Sequence, residues 1–310
     1  MRRLALMFPG QGSQAVGMGT DLAAEEPAMQ MTFEEASEVL GYDLLELCAS
    51  GPAERLARTD VTQPALLTVS VGIFRVLRSQ GLRCGAVFGH SLGEYSALVA
   101  AGAVQFADAL RIVRRRGEAM QAAAEASPGG MAALIGLDDA TAEGLCAVAP
   151  GVWPANFNSP GQIVVSGELA ALGELEPRAK GAGARRLIPL AVGGAFHSPL
   201  MEPAVKPLQS ELEAAAWQAP DTPFYSVCSL AFEREGFPAL MLRQLVSPVR
   251  FTQAVNELCA AGYDAFLEVG PGNVLGGLIR RTVPEASVLR VSDVETLAAL
   301  RNDDSILEAW

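Results

Sequence analysis

Only two histidines occur in the chain, His90 and His197, and its five cysteines, Cys48, Cys84, Cys146, Cys228 and Cys259, are scattered without any CxxC spacing. That scarcity excludes a zinc site built from clustered Cys and His ligands. An odd number of separated thiols reads as small buried hydrophobes in a reducing compartment, so a cytoplasmic location is expected. Basic residues are the scarcer charge, 23 Lys and Arg against 35 Asp and Glu, a net charge of −12. Nucleic acid is therefore not the expected partner, because phosphate binding needs a net basic face. No run of about 18 apolar residues is free of charges and breakers, so no membrane-spanning segment is expected. The opening Met1-Arg2-Arg3 and its short apolar run meet Pro9 and a glycine-rich turn at once. That pattern reads as a first strand rather than a secretory signal. Repeats and low-complexity tracts are also missing.

What is present is a large apolar share, half of 310 residues, enough for a sizeable core. Short apolar runs at Leu4 to Phe8, Ala86 to Phe88 and Ala265 to Val269 each end in a glycine turn and lead into a helical stretch. This rhythm predicts a parallel sheet with helices on both faces, an α/β fold. The middle of the chain differs. Strands are expected at Met131 to Leu137, Val152 to Asn156, Gln162 to Ser166 and Arg185 to Leu190, with helices at Asp139 to Val148 and Leu169 to Lys180. A tight turn is expected at Asn158-Ser159-Pro160-Gly161. The order β-α-β-β-α-β is that of a ferredoxin-like unit. Hinge compositions flank it, Ser127-Pro128-Gly129-Gly130 before and Gly193-Gly194 after. A small domain over 128–194, inserted into a larger one made of 1–127 and 195–310, is the expected organisation.

Gly89-His90-Ser91-Leu92-Gly93 matches G-x-S-x-G, with an apolar strand before it and a helix-forming stretch, Glu94 to Ala101, after. A sharp strand-to-helix turn lifts the serine hydroxyl clear of the backbone, and flanking glycines allow close packing around it. The new helix offers unpaired N–H groups and the positive end of its dipole to a developing oxyanion. The alternative is an ordinary turn with an incidental serine. A serine nucleophile needs a base. His90 adjoins Ser91 on the turn, where neighbouring side chains diverge, so elimination leaves His197 as the base. No Asp or Glu stands out beside His197, and a backbone carbonyl is the expected holder of its Nδ1 proton. A thiol is a better leaving group than an amine, so such a reduced triad suits thioesters.

Arg116 lies in a predicted helix from Phe106 to about Ala124. At about 100° per residue, Phe106, Leu110, Val113, Gly117 and Met120 form one apolar stripe, from which Arg111, Arg114 and Arg115 point away. Arg116 falls about 60° from Val113, on the inward side. An inward arginine needs an anion. That anion is either an internal carboxylate or the carboxylate of a substrate held by a bidentate pair.

These stretches, with Phe8-Pro9-Gly10-Gln11-Gly12-Ser13, Thr62-Gln63-Pro64-Ala65, Arg116-Gly117, Asn156-Phe157-Asn158-Ser159-Pro160-Gly161-Gln162, Ala195-Phe196-His197-Ser198 and Glu268-Val269-Gly270-Pro271-Gly272, resemble the malonyl-CoA:acyl carrier protein transacylase family over nearly the whole chain. The resemblance implies an α/β-hydrolase-like core with a ferredoxin-like insert. It implies Ser91 as the acylated nucleophile, His197 as general base and Arg116 as the clamp on the malonyl carboxylate. It further implies the backbone N–H groups of Gln11 and Leu92 as the oxyanion hole, and Gln244 as the residue whose main-chain carbonyl orients His197. Asn158 and Gln63 take supporting roles, and Phe196 matches a malonyl-selective pattern. Gly194 departs from the His or Tyr often found there in polyketide-synthase domains. Malonyl-CoA is then the substrate, no cofactor is resident, and the partner is an acidic acyl carrier protein met by a monomer. An acidic chain binding an acidic carrier needs a local basic patch, for which Arg185, Arg186, Arg280 and Arg281 are the candidates against mere scattered surface charge. An acyl-thioester hydrolase of the same fold and a non-catalytic carrier-binding module are the rival expectations.

Overall fold

The structure is a computed structural model that describes residues 3–303. Its strands are β1 (Leu4–Phe8), β2 (Ala86–Gly89), β3 (Gly129–Ile135), β4 (Val152–Ser159), β5 (Gln162–Glu168), β6 (Arg186–Pro189), β7 (Phe224–Ser226), β8 (Ala231–Glu233), β9 (Ala265–Val269) and β10 (Ser287–Val291). They form a six-stranded sheet in the order β10-β9-β1-β2-β7-β8 and a separate four-stranded sheet in the order β4-β5-β3-β6.

The large sheet is parallel from β10 to β7, and β8 closes its edge antiparallel to β7. Side chains alternate across a strand, so a sheet covered on both faces needs apolar residues at every position. Strand β1 shows this: Leu4, Leu6 and Phe8 join one core, Ala5 and Met7 the other. The helix Thr59–Ser79 packs in the first core between the helices Pro27–Leu40 and Phe106–Ala126. It is long and apolar enough to cross a membrane, yet 83% of its apolar window is buried inside the protein, which makes it a core helix.

The small sheet is antiparallel throughout. One face carries the helices Asp139–Ala147 and Leu169–Gly181, packed on Leu134, Phe157, Ile163 and Val165. The other face contributes Met131, Ala133, Ala155 and Val164 to the core of the large unit. Its strand order is the ferredoxin-like one expected from the sequence. The expected boundaries shift by a few residues. Strand β4 continues past Asn156 to Ser159, so the turn narrows to Pro160-Gly161, where Gly161 takes φ +74°. The extension has a cause in pairing: Phe157 N–H donates to Val249 O and Val249 N–H to Ala155 O, both at 2.8 Å. These two bonds stitch the small sheet to the large unit beside the end of the Phe237–Leu245 helix.

Candidate active site

Strand β2 runs into a turn at His90-Ser91-Leu92 and then into the helix Gly93–Ala100. Ser91 sits there at φ +52°, a conformation an L-residue adopts only when its surroundings enforce it. Backbone crowding provides the enforcement. A Cβ on Gly93 would lie 2.0 Å from Phe8 O, one on Gly89 2.0 Å from the carbonyl carbon of Gly93, and one on Gly10 2.5 Å from His90 O. His90 N–H also donates to Phe8 O at 3.0 Å. The loop after β1 is thereby pressed against the turn, and Gln11 and Leu92 line the same cleft as Ser91, a space of about 260 Å³.

His197 approaches from the loop after β6, with φ +58° and only 5% of its surface exposed. Its Nε2 lies 2.7 Å from Ser91 Oγ. Its Nδ1 faces two main-chain carbonyls, Gln244 O at 3.0 Å and Ser247 O at 3.1 Å. Carbonyls only accept, so the network assigns the proton to Nδ1 and leaves the Nε2 lone pair facing the serine hydroxyl. Burial, and then the Arg116 charge, push this imidazole down to about 3, while the two carbonyls pull the other way. The imidazole is neutral at physiological pH. The loop itself is fastened by Ser166 Oγ, which donates to Phe196 O, and by Ser198 Oγ, which donates to Ala195 O.

Arg116 is 1% exposed on the helix Phe106–Ala126. Nη1 donates to Gln63 Oε1 at 2.9 Å, and Nη2 to Ser91 Oγ and Gln244 Oε1, each at 3.2 Å. Its Nε is buried without a hydrogen-bond partner. Among the described residues Arg116 forms no ion pair, so of the two anions open to it in the sequence the internal carboxylate is not the one found. Arg111, Arg114 and Arg115 instead pair at the surface with Asp108 and Glu118, as their helical phase requires.

The other sequence candidates fall around this centre. His90 turns away from Ser91 to meet Asn158 Oδ1 at 2.9 Å. Phe196 and Met120 line the cleft, and Gln63 Nε2 rests on Met120 Sδ at 3.4 Å. The glycine at 194 has a steric reason, since a Cβ there would lie 2.6 Å from Ala124 Cβ. Arg185, Arg186, Arg280 and Arg281 are exposed and stand outside the cleft. Arg281 Nη1 reaches the small sheet at Gln162 Oε1, 2.5 Å away. Gln162 pairs with Ile135 and Ile135 with Arg186, so this register gathers Arg281 and Arg186 at one end of that sheet.

The chain matches the model of the acyl transferase domain over residues 6–307. It belongs to the acyl transferase family. It is 45% identical to the malonyl CoA-acyl carrier protein transacylase of Escherichia coli (strain K12) over 305 residues, 96% of this chain and 99% of that one. Among solved structures, the acyl carrier protein S-malonyltransferase of Vibrio cholerae superposes with a TM-score of 0.93 at 44% identity, covering 96% of this chain and 99% of that one. A malonyl-transacylase solved in complex with its type II PKS acyl-carrier protein gives 0.93 at 42% identity, covering 97% and 100%.

Two features of this acyl transferase had no sequence reading. Arg58 lines the cleft, two-thirds of its side chain exposed, and pairs with Asp60. Glu94 is fully buried and sits behind Ser91. Its Oε1 accepts from Val227 N–H at 3.0 Å and its Oε2 from Gln244 Nε2 at 2.6 Å. An acid in a first helical turn normally reads as a dipole partner at the surface. The only cue against that was the absence of any other charged residue in the rest of the helix, Tyr95 to Ala100.

Proposed function

We propose that this chain moves a malonyl group from coenzyme A to the phosphopantetheine thiol of an acyl carrier protein, through a malonyl ester on Ser91. One observation carries the reading: a buried guanidinium, 3.2 Å from the serine hydroxyl, has no carboxylate of its own among the described residues. A buried cation in that position favours an acyl group that brings its own anion. The free carboxylate of a malonyl thioester does so.

His197 Nε2 takes the Ser91 proton as Oγ attacks the thioester carbonyl. The N–H groups of Gln11 and Leu92 receive the oxyanion, and the C–S bond breaks. His197 returns its proton to the departing coenzyme A sulfur. In the second half the carrier thiol gives its proton to His197, its sulfur attacks the same carbonyl, and the C–O bond to Ser91 breaks. Ser91 recovers the proton. Every step uses groups of this chain, side-chain and main-chain, and two substrates, with no resident cofactor. Gln244 orients His197 through its main-chain carbonyl, Gln63 and Asn158 brace Arg116 and His90, and Phe196 limits the room beside the acyl carbon. The acidic carrier docks on Arg185, Arg186, Arg280 and Arg281. The protein works as a cytoplasmic monomer, with a catalytic domain of 1–127 and 195–310 and a 128–194 insert.

Mass spectrometry tests the reading directly. Mixing with malonyl-CoA is expected to add one malonyl group, mapped to Ser91, which disappears when carrier bearing a free phosphopantetheine thiol is added. No adduct would leave only a carrier-binding module. An adduct lost to water equally fast with and without carrier would make the protein a thioesterase.

A further inference from the structure

We propose that Glu94 is a positioning residue for the acyl clamp: its carboxylate fixes which end of the Gln244 amide faces Arg116. The inference rests on the malonyl-transfer reading above and deepens it.

A glutamine amide can present either its oxygen or its NH2 to a neighbour, and the two ends differ little in shape. Against a guanidinium, which only donates, the oxygen is the one acceptable end. Gln244 presents Oε1 to Arg116 Nη2 at 3.2 Å. Its NH2 end meets two acceptors, Ser91 O at 2.9 Å and Glu94 Oε2 at 2.6 Å. Of these, Glu94 gives the shorter bond and, when ionised, the charged one. Val227 N–H occupies the other carboxylate oxygen at 3.0 Å. Because that donor belongs to the main chain, it cannot turn away. A glutamine at position 94 has one oxygen for two donors, so one of them must face an NH2 group.

Glu94 stands one amide removed from Arg116, in the order carboxylate, Gln244 amide, guanidinium, and leaves the guanidinium without a carboxylate in direct contact. Glu94 does not line the cleft and lies on the far side of Ser91 O and Gln244 from it. It therefore acts through Gln244 and touches neither the acyl group nor the thioester. Burial pushes the Glu94 carboxyl up to about 7, and the donors from Gln244, Ser226 and Val227 and the Arg116 charge resist that rise.

The test compares malonyl-CoA with acetyl-CoA, which lacks the anion. In Glu94→Gln, kcat/KM for malonyl-CoA is expected to fall about 10- to 100-fold, mainly through KM, the range for a lost charged hydrogen bond. Acetyl transfer should change less than about 3-fold. A proportional loss on both substrates, or no loss on either, overturns the assignment. Gln244→Met keeps the main-chain carbonyl that holds His197 and breaks the same link, so it should reproduce the selectivity loss, and the double variant should fall no further than either single one. If Glu94→Gln does not fold, Gln244→Met decides alone, and retained malonyl preference overturns the proposal. Wild-type protein without malonyl preference defeats the functional reading itself, and this inference with it.

Discussion

Ser91 and His197 stand 106 residues apart in the chain and 2.7 Å apart in space, each in the left-handed backbone region at φ +52° and +58°. Among the described residues only Leu230 shares that conformation without being glycine. Both side chains are thus aimed by backbone that other contacts force into place, one by the crowded glycines around the turn, the other by the serines that fasten the loop.

Removing either member should stop the cycle at a defined point. Ser91→Ala is expected to take up no malonyl group at all. His197→Ala should retain binding and lose about 10²- to 10⁴-fold in kcat, the usual share of general-base catalysis. Stopped-flow measurement of coenzyme A release checks both, and near-wild-type release in His197→Ala would remove it as the base.

Arg116 should set acyl choice rather than chemistry. Arg116→Ala is expected to cut kcat/KM for malonyl-CoA by at least about 10-fold while acetyl-CoA is spared or favoured. Arg116→Lys should not restore it, because one ammonium cannot reproduce bonds to Gln63 and Gln244 together with a paired carboxylate. Competition between the two thioesters reads this out, and unchanged selectivity would sink the clamp.

The pH profile follows from His197, pushed down to about 3. If the neutral imidazole is the base, kcat at saturating thioester should stay level well below the ordinary histidine range near ~6.5, whereas kcat/KM for malonyl-CoA should also fall as Glu94, pushed up to about 7, takes up its proton. A decline in kcat that begins there would contradict the burial argument. Stability carries the matching sign. The folded pKa lies below the unfolded one, so this term is fully present above about 6.5 and is lost as pH falls from there toward 3. Chemical denaturation at stepped pH measures it.

Gly93→Ala should be far more costly than Gly12→Ala. The first puts a Cβ 2.0 Å from Phe8 O, and the second meets nothing within 4 Å. A loss of about 3 kcal/mol or more is expected for Gly93→Ala, at the upper end of overpacking costs. For Gly12→Ala only the strain of φ +103° remains, on the order of 1–3 kcal/mol. Urea midpoints compare them.

Charge reversal of Arg186 and Arg280 to Glu should raise the carrier KM and leave the coenzyme A half-reaction within about 2-fold, because rim charges act mainly on encounter. Equal effects on both halves would reassign these arginines to scattered surface charge.

Sequence alone carried further at the site than at its surroundings. The turn around Ser91 was legible because strand, glycines and helix must be consecutive in the chain to make it. His197 was reached by counting, since a chain with two histidines offers few bases. The inward phase of Arg116 followed from 3.6-residue periodicity, which is a local property. Glu94 and the bracing contact of Gln63 on Arg116 were not legible, because each depends on which helices lie side by side. The same holds for the small sheet, whose strand order followed from local patterning while its bonds to Val249 did not.

What the chain order by itself determined was therefore the set of candidate reactive groups and the local shapes that present them. Tertiary structure alone decided that Arg116 meets neutral amides and a serine instead of a carboxylate, and that Glu94 reaches it only through the Gln244 amide. The physical reason is range. Dihedral preference and hydrophobic period act over a few residues, whereas the surroundings of a buried charge depend on packing between segments from 25 to 150 positions apart.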